Sequence, residues 1–112
     1  MQLEVKKYLS DVLTSIEHIV EFTSGTKKLG DYSSDIKLKR AVERELEIIG
    51  EALNRALEID ADLKISNARK IVNTRNRIIH GYEEVDDAMI WAIIFKHLPI
   101  LKSEINGLVE AR

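Results

Sequence analysis

Apolar residues recur every three or four positions along most of this chain, and one of these stripes has an arginine near its centre. The stripe is Ala68, Ile71, Val72, Ile78 and Ile79. At roughly 100° per residue, Arg75 falls within about 60° of each of them. A guanidinium keeps its proton at ordinary pH, so burying it without an anionic partner is costly. The fold must either bring it a carboxylate from another helix or leave it facing a phosphate-bearing ligand. Arg75 is therefore the first site candidate.

Four helical segments account for the chain, which reads as one domain over residues 1–112. The first runs from about Leu3 to Thr23, with Val5, Leu9, Val12, Leu13, Ile16, Ile19 and Val20 on a narrow stripe. His18 lies on the opposite face, where solvation is its expected state. Gly25 to Gly30 breaks this helix, and the connection carries the Lys27-Lys28 pair. The second helix starts at Ser34 or Asp35, both good N-caps, and reaches about Ile59. Its stripe is Leu38, Ala41, Val42, Ile49, Ala52, Leu53 and Ala56. Glu45 lies within that stripe and Glu51 on the opposite face, so at most one of them can meet Arg75. Gly50 interrupts the helix at about 1 kcal/mol relative to alanine, a cost that close approach of another backbone would justify.

Ser66 is the expected cap of a third helix that ends at His80, with Gly81 in the C′ position. The last helix begins near Asp86, with Asp86 and Asp87 at its positive end, and runs to about Val109. Pro99 inside it predicts a kink and an unpaired Phe95 carbonyl. Ile90, Ile94, Leu101, Ile105 and Leu108 form its main stripe, while Trp91 and Phe95 point elsewhere. The second apolar face is available to another subunit. His97 falls on the main stripe, where a hydrogen-bonded core or interface role is expected.

Composition narrows the function classes. Apolar residues make up 45% and charged residues 32%, which suits a helical globular protein. There is no cysteine, so neither a disulfide scaffold nor a thiolate metal site is available. No apolar run approaches the ~20 residues needed to cross a bilayer, and the N-terminus lacks a signal-peptide pattern. A cytoplasmic protein is the expectation. The net charge of −2 argues against general electrostatic attraction to nucleic acid. From Lys64 to His80, however, there are five basic residues and no acidic one, and Glu83, Glu84, Asp86 and Asp87 follow. Such a patch can hold a short phosphate backbone, although charge alone favours a solvated helix face.

His80 stands about 140° around the helix from Arg75. Asn76, one turn before it, is its nearest polar neighbour and a candidate to orient the imidazole. Convergence of Arg75 with His80 needs unwinding at Gly81 or a partner subunit, and a two-fold dimer would set two copies across one cleft. A neutral-range histidine can take the 2′-hydroxyl proton of RNA or protonate the leaving oxygen. An arginine can stabilise charge on a phosphorane. No metal is required.

Arg75, His80 and Tyr82, with Asn76 directly after the arginine, resemble the Arg-x4-His-x-Tyr motif of HEPN-domain proteins. The resemblance extends to Ala41-Val42-Glu43-Arg44-Glu45-Leu46-Glu47-Ile48-Ile49-Gly50-Glu51-Ala52, to Val85-Asp86 followed by Trp91, and to Leu98-Pro99. Together these are similar to the HepT-type branch across about the whole chain. The resemblance implies an all-α, antiparallel four- to five-helix up-and-down bundle that forms a homodimer. It implies a metal-independent endoribonuclease without a cofactor, the toxin of a type VII-like toxin–antitoxin pair. The implied antitoxin is a minimal nucleotidyltransferase that transfers AMP to the motif tyrosine. On this chain Arg75 and His80 become the catalytic pair, Asn76 a supporting residue and Tyr82 the AMP acceptor. The alternative is a non-catalytic HEPN subunit that binds and presents substrate to a nucleotidyltransferase.

Overall fold

The structure, a computed structural model, describes residues 1–80 and 85–110. Their secondary structure is entirely helical: α1 (Leu3–Thr23), α2 (Leu29–Ser33), α3 (Ile36–Ile59), α4 (Ala68–His80), α5 (Asp87–Ala92), a π-helical turn (Ile93–His97) and α6 (Leu98–Glu110), joined by turns and short connections. The expected cap at Asp35 is present, with Leu38 N–H donating to its carboxylate at 3.0 Å. Asp86 caps α5 in the same way, accepting from Ala88 N–H at 2.9 Å. The short α2 lies where the sequence suggested only a connection. Its Tyr32 is fully buried and packs on Trp91, ring centroids 5.5 Å apart. Burial pushes that phenol well above its ordinary pKa, and the nearby Glu43 and Asp87 carboxylates push the same way.

The core is the seam between α1 and α3, where Val5, Leu9, Val12, Ile16 and Ile19 meet Val42, Leu46, Ile49, Leu53 and Ala56. The two amphipathic stripes close on each other as their periodicity requires. Val20, placed on the first stripe by sequence, is exposed instead. The α5–α6 run covers the seam with Ile90, Ile93, Ile94, Leu98, Leu101 and Ile105. The molecule measures 44 × 30 × 19 Å, about two helix diameters at its thinnest. α4 sits at its edge and packs mainly against α3.

The structure corrects one expectation, at Ser66, and adds detail at two others, Pro99 and His97. Ser66 does not cap α4; Asn67, at φ 58°, turns the chain into it. Ser66 instead donates its N–H and its hydroxyl to the Glu104 carboxylate of α6, each at 3.0 Å. At Pro99, a π-helical turn precedes the proline, with Leu98 N–H donating to the Ile93 carbonyl five residues back. A wider turn relieves the crowding that a proline ring imposes on the preceding turn. His97 is half-buried, but its Nδ1 is enclosed without a hydrogen-bond partner among the described residues. The expected C′ position at Gly81 lies outside the described residues. No helix among those described is long and apolar enough to cross a membrane.

Candidate active site

α4 reaches α3 closely because Gly50 has no side chain. A Cβ placed there would overlap Arg75 Cβ, lie 2.9 Å from Arg75 Cγ and sit 3.5 Å from the Ile71 carbonyl. The close approach anticipated for this glycine is therefore made by Arg75 itself. Ile71 and Thr74 form the buried face of α4, and Arg75 stands on its shoulder. Its aliphatic stem lies against α3 while its guanidinium extends toward the surface.

Two acceptors fix the guanidinium. Nη2 donates to Glu51 Oε2 at 2.6 Å and Nη1 donates to Asn76 Oδ1 at 2.7 Å. Nε is buried without a partner among the described residues. The other oxygen of Glu51 accepts from Arg55 Nε at 3.0 Å. Of the two carboxylates considered for Arg75, Glu51 is the partner and Glu45 is not. Glu45 accepts from His18 Nδ1 at 2.8 Å, and that imidazole also stacks on Phe22. His18 is thus paired rather than merely solvated. The α1–α3 contact that seals the core carries Glu45 toward α1, away from α4.

Arg75 is not sealed. Its side chain keeps 27% exposure, and that of Glu51 keeps 40%. An ion pair this exposed contributes on the order of 0.2–1 kcal/mol, too little to serve as a strut between helices. Its larger effect is to hold the guanidinium in one orientation. The pair opens on a shallow cleft of about 290 Å³, with Tyr8 and Asp11 from α1, Arg44, Glu47 and Glu51 from α3, and Arg75 and Ile79 from α4 in its walls. Arg44 is committed to Glu47 at 3.1 Å. The cleft therefore has mixed charge, and Arg75 is its cation aimed by two neighbouring groups.

His80 is exposed at the end of α4 and is not part of the cleft wall. One protomer does not bring Arg75 and His80 onto the same face, as the 3.6 periodicity indicates. Asn76 gives its side-chain carbonyl to Arg75. Tyr82, with Glu83 and Glu84, lies outside the described residues. Sequence reading missed Arg55, although its place four residues after Glu51 is the spacing of a helical ion pair.

The HepT-like ribonuclease family matches residues 12–108 of the chain. This chain belongs to that family. A Methanocaldococcus jannaschii protein named "Putative RNase MJ1380" is 34% identical over 105 residues, which is 92% of this chain and 94% of that protein. The "Probable ribonuclease HepT" of Thermococcus cleftensis is 35% identical over 112 residues, covering 96% of this chain and 98% of its own length. A second M. jannaschii protein, "Gamma-glutamylcyclotransferase and putative RNase MJ0434", is 35% identical over 111 residues, and the match takes in 98% of this chain but 50% of that protein. No solved structure matches.

Proposed function

We propose that this protein is a metal-independent endoribonuclease in which Arg75 and His80 act on one phosphodiester across a two-fold dimer. The observation that carries the reading is an oriented guanidinium left open to a cleft. Membership of the HepT-like ribonuclease family supports it. An imidazole removes the 2′-hydroxyl proton, O2′ bonds to phosphorus and the bond to O5′ breaks. The second protomer's imidazole protonates the departing O5′. Arg75 balances the charge that gathers on the non-bridging oxygens, and Asn76 holds Arg75 in place. The open edge of α4 supports the pairing of protomers, because Ile79 is 51% exposed beside Arg75.

We further propose that the enzyme is a cytoplasmic toxin, neutralised by a minimal nucleotidyltransferase that transfers AMP to Tyr82. The added phosphate and bulk next to the basic helix would repel and obstruct RNA. Mass spectrometry of protein co-expressed with that partner tests this: an AMP adduct on Tyr82 is expected, and unmodified tyrosine in a neutralised complex overturns it. The mixed charge of the cleft, with Asp11, Glu47 and Glu51 in its walls, favours a second reading: a non-catalytic subunit that presents substrate to a nucleotidyltransferase. Cell toxicity on expression separates the two. Toxicity relieved by Arg75→Ala supports the nuclease, whereas a harmless wild-type chain that leaves RNA intact supports the binding subunit.

A further inference from the structure

We infer that Arg55 is a positioning residue for the proposed nuclease site: it holds Glu51 so that Arg75 can exchange that carboxylate for an RNA phosphate. The inference rests on the nuclease reading for the role of Arg75, but the geometry behind it stands on the contacts alone. Nη2 of Arg75 donates to Glu51 and Nη1 donates to Asn76. Nε is buried. Each Nη keeps a second N–H, but a phosphate that takes the Nη2 side of this guanidinium shares or displaces the Glu51 contact.

Displacement creates a problem of like charges. A released Glu51 would sit beside the incoming phosphate, in a wall that already holds Asp11 and Glu47. Coulomb repulsion between such neighbours opposes binding. Arg55 removes the conflict, because its Nε already holds Oε1, the oxygen that Arg75 does not use. Arg55 is not in the cleft wall and is more than half exposed, so it can follow the carboxylate as that group turns outward. It also lies 4.0 Å from Glu58 through Nη1, which leaves Glu51 as its closer partner. Exposed pairs of this kind contribute little to folding. Loss of Arg55 should therefore appear in RNA binding and leave the melting temperature where it was.

The test is a double-mutant cycle, read as binding of a 2′-O-methyl oligonucleotide that cannot be cleaved and as KM and kcat on the unmodified RNA. Arg55→Ala should weaken binding about five- to tenfold, a coupling typical of residues in contact. KM should rise with it while kcat holds, and Arg55→Lys should restore most of the loss. In a Glu51→Gln background, with no carboxylate charge left to hold, Arg55→Ala should have no further effect. An equal loss in both backgrounds would mean that Arg55 meets RNA directly, and overturns the inference. No loss in either background overturns it too. If wild-type protein binds the oligonucleotide and the cycle is non-additive but no RNA is cut, the nuclease reading fails and the role of Arg55 stands. Absence of any binding ends both.

Discussion

α3 has two flanks, and they are built differently. Toward α1 it presents Val42, Leu46, Ile49 and Leu53, all buried in an apolar seam that continues under α5 and α6. Toward α4 it presents Gly50 and Glu51, which meet an arginine stem and a guanidinium. The first flank buries hydrocarbon and supplies most of the stability. The second keeps a cation at the surface, held by groups that contribute little to folding. Stability and the candidate chemistry are thus carried on opposite sides of one helix, and a substitution should disturb one with limited effect on the other.

The largest expected effect lies on the open flank. His80→Ala should lower RNA cleavage by about 10²–10⁴, the usual contribution of a general acid–base group, with a far smaller effect on the thermal melt. Cleavage at the wild-type rate would break the division of labour. On the sealed flank, Ile49→Ala should cost about 2–5 kcal/mol by denaturant unfolding, and a cost well under 1 kcal/mol would show that the seam is not the stabilising half. Gly50→Ala sharpens the comparison, since it pushes on the boundary. Overpacking costs about 1–3 kcal/mol, against a helix-propensity gain of about 1 kcal/mol from losing glycine. A net loss of up to about 2 kcal/mol is expected, with cleavage falling further than stability does because Arg75 is displaced. The smallest effect on folding should come from Ile79→Ser, within about 0.5 kcal/mol as for surface positions. Sedimentation should nonetheless shift from dimer toward monomer if α4 faces a second copy.

Periodicity made the sealed flank legible. The α1 and α3 stripes and the ends of α1 follow directly from residue spacing, and Asp35 and Asp86 cap as their side chains allow. Around the site the reading was less complete. It identified Arg75 as a cation in an apolar stripe and offered Glu45 and Glu51 as partners. It could not choose between them, because that depends on which face of α3 turns toward α4. Gly50 held the answer, since only a bare backbone admits Arg75 there and Glu51 adjoins it. Thr74 went unnoticed in the buried face of α4 because a hydroxyl does not register in an apolar pattern; its Oγ1 donates to the Lys70 carbonyl at 2.9 Å. Ser66 was misread because a helix-capping residue and a residue that grips a distant carboxylate look alike in one dimension.

That grip joins the start of α4 to α6 through a single acidic side chain. In an amide hydrogen-exchange experiment, the edge helix should open as a unit ahead of the α1–α3 pair, since local opening follows the density of buried contacts. Glu104 then acts as its latch. Exchange in α4 should accelerate when that latch is cut by Glu104→Ala, beginning at the end remote from His80.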